Sequence, residues 1–326
     1  MKSIRKIGVL TSGGDAPGMN AAVRAVVRTG LNNGLEVFGI RNGYNGLING
    51  LIEKMDSQSV SDIIQRGGTI LKSARSKEFK TPEGRQVAYD NLMIHGIEGL
   101  IVIGGDGTFT GANIFGNKFD FPVVGIPGTI DNDLFGTDMT IGYDTALNTV
   151  VEAVDKIRDT AYSHNRLFIV EVMGRDAGFI ALNAGIAAGA EDILIPEHPI
   201  LTEELLSHLK NDWRKNKKSG ILIVAEGDTS GGAFEIMKQI KSETDYFDIR
   251  VTILGHIQRG GAPSCFDRVL ASTLGYEAVK ALLRGERDVM VGKVHRETKL
   301  IPFNKSIKYH KDLNRNTLEL VRTLSS

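Results

Sequence analysis

Two stretches of this chain combine carboxylates, glycines and hydroxyls in an order suited to chemistry on a phosphate. In Val123-Val124-Gly125-Ile126-Pro127-Gly128-Thr129-Ile130-Asp131-Asn132-Asp133 an apolar run stops at a Pro-Gly break and delivers Thr129 and two carboxylates, Asp131 and Asp133. Upstream, Leu100-Ile101-Val102-Ile103 runs into Gly104-Gly105-Asp106-Gly107-Thr108. Backbone without side chains approaches a phosphate closely, and a carboxylate beside it can help hold a cation. The first loop therefore reads as a source of a general base and the second as a phosphate and metal cradle. Each also has a plainer meaning when taken alone: an Asx turn at Asp131 or Asp133, and a simple turn at any one glycine.

The elements that must position these loops show in the placement of the 38 glycines. Short Val/Ile-rich runs repeatedly end in glycine and a polar residue before an alanine-rich or amphipathic stretch. Ile7 to Leu10 leads to Thr11-Ser12-Gly13-Gly14-Asp15, Phe168 to Val172 to Met173-Gly174-Arg175-Asp176, and Ile221 to Ala225 to Glu226-Gly227-Asp228. Such strand, loop, helix units predict an α/β fold with mainly parallel sheets covered on both faces, and ligands beyond the carboxyl ends of the strands. Gly136-Thr137-Asp138 and the Gly255 to Gly261 stretch read as hinges around a middle block from about Ile141 to Leu254, which gives two α/β domains.

Composition narrows the function classes. With 326 residues, 41% hydrophobic and 24% charged, the chain is long enough for two globular domains. Lys+Arg 39 balances Asp+Glu 39, so no overall basic field points to nucleic acid or to a membrane surface, and any anion site must be local. The lone Cys265 allows no intrachain disulfide, reads as a packed thiol and suits a reducing cytoplasm. Met1-Lys2-Ser3 passes almost directly into strand-like residues without a signal-peptide pattern, and no apolar run approaches the roughly 20 residues of a membrane span. The Lys215-Asn216-Lys217-Lys218 run reads as the solvated end of a helix beginning near Thr202.

No Gly-x-x-x-x-Gly-Lys-Ser/Thr occurs, and Gly13-Gly14-Asp15-Ala16-Pro17-Gly18 lacks the dinucleotide fingerprint spacing. No His-Glu-x-x-His and no cysteine pair offers a zinc site. Carboxylates, arginines and glycine loops remain, which are the parts of a phosphoryl-transfer site.

Together, Thr11-Ser12-Gly13-Gly14-Asp15-Ala16-Pro17-Gly18-Met19-Asn20, Gly104-Gly105-Asp106-Gly107-Thr108, Pro127-Gly128-Thr129-Ile130-Asp131-Asn132-Asp133, Met173-Gly174-Arg175 and Leu254-Gly255-His256-Ile257-Gln258-Arg259-Gly260-Gly261 resemble bacterial ATP-dependent 6-phosphofructokinases over nearly the whole chain. The resemblance implies two three-layer α/β/α domains with the active site in the cleft between them. A larger ATP-binding domain would take 1–141 and 255–305, and a smaller fructose 6-phosphate-binding domain 142–254 and 306–326. It implies transfer of the ATP γ-phosphoryl to the 1-hydroxyl of fructose 6-phosphate, with Asp131 as general base, Asp133 in support and Thr129 and Arg75 near the phosphoryl. ATP would meet Gly14, Tyr44, Arg75, Ser76 and Gly105, Asp106, Gly107 and Thr108, with Asp106 serving Mg²⁺. The sugar phosphate would meet Thr129, Ile130, Asp131, Arg166, Met173, Gly174, Arg175, Glu226, Arg250, His256, Ile257, Gln258 and Arg259, and Arg166 and Arg250 would come from an adjacent subunit of a homotetramer.

The same resemblance implies an effector site for ADP or GDP and phosphoenolpyruvate at Arg24, Arg28, Arg158, Gly189, Glu191, Lys215 and Lys217. Two positions depart from it: Ser57 stands where relatives usually carry Arg, and Ser219 where the enteric form has His, which puts the strength of regulation in question. Three other readings are weighed against this one. A pyrophosphate-dependent enzyme is disfavoured by Gly107 and Gly128, where such relatives tend to carry Asp and Lys. An NAD kinase is disfavoured by the sugar-facing motifs, and a catalytically silent nucleotide sensor by the joint presence of Asp106, Asp131 and Arg75.

Overall fold

Runs of aliphatic residues too short for helices and apolar at nearly every position become strands buried on both faces. The computed structural model describes residues 4–214 and 219–309, and beyond them 311–313, 317, 319–320 and 323–324. In chain order it begins β1 (Lys6–Thr11), α1 (Met19–Asn32), β2 (Glu36–Ile40), α2 (Gly43–Ile48), β3 (Ile52–Met55), α3 (Pro82–Ile94), β4 (Gly99–Gly104), α4 (Asp106–Phe119) and β5 (Val123–Pro127). It continues α5 (Tyr143–His164), β6 (Leu167–Val172), α6 (Phe179–Ala188), β7 (Asp192–Leu194), α7 (Thr202–Arg214), β8 (Gly220–Ala225), α8 (Gly232–Glu243) and β9 (Ile249–Ile253). A 3-10 turn at Gly255–Arg259 precedes α9 (Cys265–Leu283), β10 (Val289–Val294), β11 (Glu297–Pro302) and α10 (Phe303–Lys308). Lys215 to Lys218 lie outside the described residues.

The chain forms two compact units. The first gathers the chain up to Ile130 with Leu134–Thr145 and Arg259–Lys311; the second takes Asp131–Asp133, Ala146–Gln258 and the described residues from Asp312 onward. In the first, seven strands run in the order β11-β10-β5-β4-β1-β2-β3. The central pairings are parallel, while β3 on β2 and β11 on β10 are antiparallel. The second unit has a parallel sheet in the order β7-β8-β6-β9. Because β2 lies on one side of β1 and β4 on the other, the loops after β1 and β4 flank a topological switch point, where open α/β sheets present their ligand sites.

Local chemistry sets the helix ends. Thr81 caps α3, its hydroxyl accepting from the Gly84 amide at 3.0 Å, with Pro82 at the first position where a missing N–H matters least. Ser264 caps α9 by accepting from the Asp267 amide at 3.2 Å. Cys265 is exposed and not packed as the composition suggested. The buried stripe of α9 runs through Asp267, Leu270, Ala271 and Leu274, and helical periodicity puts residue 265 on the opposite face.

Residues 306–309 and 311, expected in the smaller domain, belong to the first unit. The reason is α10: Phe303 is fully buried and stacks on Phe109 of α4 with ring centroids 5.3 Å apart, while Ile307 packs against the same core. Gly125 of β5 gives these rings their room, since a Cβ there would lie 2.6 Å from Phe109 and 2.7 Å from Phe303. Replacing Phe303 with Ala removes a ring that nothing nearby can refill, so the Phe303→Ala variant should lose about 3–5 kcal/mol of stability in urea unfolding followed by fluorescence or circular dichroism.

Candidate active site

Three loops at the carboxyl ends of β1, β4 and β5 meet in the first unit. The Ser12 amide donates to the Ile103 carbonyl at 2.9 Å and the Gly128 amide to the Gly104 carbonyl at 3.0 Å, so each loop is tied to the strand beside it. Thr108 donates through its hydroxyl to the Ser12 carbonyl at 3.2 Å. A Cβ on Gly104 would press on both of those groups, and one on Gly105 would touch Thr129. The glycines therefore let the Gly13-Gly14, Gly104-Gly105 and Gly128-Thr129 segments close on one another. Asp106 is half-buried in the first turn of α4, where the amides of a helix start face outward and favour anions.

Arg259, grouped by sequence with the sugar phosphate, lies in the first unit with its guanidinium against Gly14, so that a Cβ on Gly14 would overlap it. Its Nε is buried without a hydrogen-bond partner. The planar fork of Nη donors that faces Gly14 is the part of Arg259 suited to an anion. Arg75 is exposed and, among the described residues, has no ion-pair partner, whereas the Ser76 hydroxyl accepts from the Phe79 amide at 3.1 Å and shapes the turn that follows.

Tyr44 and Gly128 also serve the packing of this unit. Tyr44 is buried, its ring stacked on Phe79 at 3.9 Å and its hydroxyl donating to the Thr108 carbonyl at 2.7 Å. Burial pushes its pKa well up, so it stays a neutral donor that holds the start of α4 from behind. Gly107 faces open space, whereas the missing side chain of Gly128 points at Ile103 and Met19, 3.0 and 3.1 Å from a built Cβ, so a larger residue at Gly128 would press on the core. Asn20 carried no role in the sequence reading. It is buried, donates to the Arg66 and Gly67 carbonyls and accepts from the Ile70 amide at 2.7 Å, fixing the 66–70 loop. A buried polar residue at the close of a glycine motif was the available signal.

The second unit assembles a separate set. Glu226, just beyond β8, accepts from the amides of Gly174 at 3.3 Å and Arg175 at 2.8 Å. Gly174 has φ +144, and a Cβ on it would lie 2.5 Å from the Ala177 carbonyl, so this turn needs glycine. Gln258 is fully buried, accepts from the Met173 amide at 3.2 Å and donates to the Gly255 carbonyl at 3.1 Å, joining the loop after β6 to the 3-10 turn, which leaves His256 and Ile257 exposed. Arg166 and Arg250 share one carboxylate: Asp248 accepts from Arg166 Nε at 2.7 Å and pairs with Arg250 Nη1 at 2.8 Å. The Arg166 hydrogen bond first, and then the Arg250 charge, hold Asp248 below the usual carboxylate range. Asp131 and Asn132 are buried, Asp133 is half-buried, and Ile130 is buried at the end of the first unit's segment.

These loops can be set beside known proteins. The family model described as Phosphofructokinase matches residues 6–282. This chain belongs to the phosphofructokinase family. It is 57% identical to ATP-dependent 6-phosphofructokinase 2 of Bacteroides thetaiotaomicron over 325 residues, 100% of both chains. It is 54% identical to ATP-dependent 6-phosphofructokinase 1 of Thermus thermophilus, covering 99% of this chain and 100% of that one. The phosphofructokinase structure from Saccharomyces cerevisiae superposes with a TM-score of 0.89 at 40% identity over 93% of this chain, which spans 45% of the yeast chain. A pyrophosphate-dependent phosphofructokinase from Marinobacter aquaeolei shares the fold, with a TM-score of 0.81 at 22% identity over 98% of this chain and 91% of that one.

Of the effector positions taken from the phosphofructokinase resemblance, Arg158, Gly189 and Glu191 come together in the second unit. Arg158 donates to the Ala188 carbonyl at 2.6 Å and the Gly189 carbonyl at 2.9 Å, and lies 3.8 Å from the buried Glu191, which accepts from the Ile221 amide. Arg24 and Arg28 sit one helical turn apart on α1 in the first unit, and Lys215 and Lys217 lie outside the described residues. Ser57 is exposed and Ser219 half-buried.

In the second unit, the tightest backbone approach is Gly227 against the Arg175 carbonyl, where a Cβ would overlap main-chain atoms that cannot swing aside. Gly227→Ala should therefore cost about 1–3 kcal/mol of stability, the usual range for overpacking, and raise hydrogen exchange at the Gly174 and Arg175 amides. Denaturant titration and amide exchange of the purified variant measure both.

Proposed function

We propose that this chain is an ATP-dependent 6-phosphofructokinase, which transfers the γ-phosphoryl group of ATP to the 1-hydroxyl of fructose 6-phosphate to give fructose 1,6-bisphosphate and ADP. The carrying observation is the closure of Gly14, Gly104 to Thr108 and Thr129 around one another, with the Nη end of the Arg259 guanidinium against Gly14. The names of the full-length relatives support the donor and acceptor.

Phosphoryl transfer asks for placement and charge neutralisation more than for covalent help from the protein. In this reading the amides of Gly14 and Gly105 to Thr108, together with Arg75 and Ser76, receive the ATP phosphates, and Tyr44 holds the Thr108 end of that cradle. Asp131 takes the proton of the acceptor hydroxyl, Asp133 supports it and Thr129 donates to the moving phosphoryl. Glu226, Met173, Gly174, Arg175, His256 and Arg259 hold the sugar phosphate. Arg166 and Arg250 reach a neighbouring subunit's substrate within a homotetramer, exchanging Asp248 for phosphate.

Among the described residues no cluster of three or more acidic, His or Cys side chains is arranged to hold a metal. One carboxylate, Asp106, on the first turn of α4 fits a Mg²⁺ that keeps several waters and arrives on the nucleotide's phosphates. When bound, that ion supplies neutralisation of phosphate charge. Among the described residues no helix is long and apolar enough to cross a membrane, and a cytoplasmic setting fits the lone free thiol.

A coupled assay of fructose 6-phosphate phosphorylation with ATP and with pyrophosphate tests the reading: ATP should serve and pyrophosphate fail, and efficient use of pyrophosphate would overturn the donor assignment. In the same assay Asp131→Ser should lower kcat by about 10²–10⁴-fold, with fructose 6-phosphate binding held within several-fold. ADP and phosphoenolpyruvate act through Arg24, Arg28, Arg158, Gly189, Glu191, Lys215 and Lys217. With Ser57 and Ser219 in place of cations, each should shift the apparent fructose 6-phosphate affinity toward the lower end of the usual coupling range of about 5–150-fold. Saturation curves with and without each effector measure that shift.

A further inference from the structure

Asp267, fully buried at the start of α9, is a carboxylate with no place in the phosphotransfer chemistry. Its Oδ1 accepts from the Gly142 amide at 2.9 Å, and its Oδ2 from the Thr145 amide at 2.8 Å and the Thr145 hydroxyl at 2.5 Å. The Thr145 hydroxyl in turn accepts from the Ser264 amide at 2.9 Å, and the Ser264 hydroxyl meets Asp144 at 2.5 Å and accepts from the Asp267 amide. The network ties the 140–145 turn to the first turn of α9. Burial is the first cause that pushes Asp267 above the usual carboxylate range, and the hydrogen bonds from Thr145 and Gly142 oppose it.

The 140–145 turn lies directly against the loop that leads into Asp131. The Ile141 amide donates to the Pro127 carbonyl at 2.9 Å, Ile141 bridges Gly128, and the Thr140 hydroxyl donates to the Thr129 carbonyl at 2.6 Å. Gly142, at φ +100, packs so closely that a Cβ would lie 2.7 Å from Ala16, 3.2 Å from Pro17 and 3.3 Å from Ile130. The one turn therefore backs both the loop after β1 and the loop after β5.

We propose that Asp267 is a positioning residue, which by clamping the 140–145 turn sets where Thr129 and Ile130 hold the residue that follows them, Asp131. The inference rests on the phosphotransfer reading above and adds the group that fixes its geometry. An ionised carboxylate suits the task because it only accepts, and all three groups facing it donate. An amide of the same shape turns an NH₂ toward one of those donors.

Asp267→Asn is the test, with Thr145→Val removing one donor and Thr145→Ser keeping it. A loop displaced by about 1 Å can lose on the order of 10²-fold in rate. Asp267→Asn and Thr145→Val should therefore lower kcat by about 10-fold or more per folded molecule while the KM for ATP stays within about three-fold, and Thr145→Ser should stay close to the parent. Hydrogen exchange should rise in peptides covering 127–131 and 140–145 and stay unchanged across 36–55. Parent-like kcat with parent-like exchange overturns the proposal, as does exchange that rises evenly along the chain, which marks a general loss of stability. If the parent protein fails to phosphorylate fructose 6-phosphate, the functional reading falls while the exchange comparison still decides the clamp. Should Asp267→Asn not fold, Thr145→Val carries the same two readouts.

Discussion

The main chains of the site loops touch one another with no side chain between them, and most of the local geometry depends on this. Gly104 rests on the Ser12 carbonyl, Gly67 on the Gly261 carbonyl and Gly227 on the Arg175 carbonyl. A side chain pressed by a neighbour rotates away, but a backbone oxygen held in a loop does not. Each crossing therefore limits how far two loops can shift against one another, and rigid placement of the amides and carboxylates they carry is what preorganised electrostatics require.

Charge is handled as locally as geometry. The chain is neutral as a whole, and several arginines of the second unit are engaged with protein groups: Arg166 and Arg250 with Asp248, and Arg158 with Glu191 and two carbonyls. Any anion that binds one of these guanidiniums must replace such a partner. The Asp248 pair is exposed, so water and salt already weaken it and replacement is easy, whereas Glu191 is buried and its hold on Arg158 is less readily given up. In the first unit, by contrast, Arg259 has a buried Nε without a hydrogen-bond partner, and the exposed Arg75 has no ion-pair partner among the described residues.

The fold class was legible because β1, β4, β5, β6 and β8 are continuous apolar runs ending in glycine, a pattern set by burial on both faces. The edge strands β3 and β11 are not distinguishable that way because they are partly exposed and mix polar with apolar residues, and β7, though buried, is too short at three residues to carry a pattern. Among the candidate site residues, Gly104 to Thr108 and Glu226 were expected at strand ends, and the structure has them at the ends of β4 and β8. The buried position of Tyr44 was not legible, because stacking on Phe79, 35 positions away, leaves no periodic trace. Asp267 was invisible for a related reason: its partners at Gly142 and Thr145 lie 125 and 122 residues distant, and an aspartate in the first turn of a helix looks from sequence like an ordinary dipole partner. Cys265 misled because a lone cysteine is usually buried, while its side of α9 is decided by Leu270 and Leu274.

The packing of α1 on α9 has a consequence for how the protein is made. These helices share one of the most extensive interfaces in the first unit, reaching from Lys280 back to Asn33 across 247 positions, and β10 completes that unit's sheet beside β5. The stretch Ala146–Gln258 that lies between them forms most of a unit of its own. During synthesis its parallel sheet has all of its strands on hand once β9 has emerged, while the older N-terminal strands must wait for α9 and β10. Closing so long a loop is slow, and until it closes one face of α1 and the outer edge of β5 stay open to solvent. The later-made domain can thus finish first, and the first-made half is the one that spends longest exposed to aggregation and to the cell's chaperones.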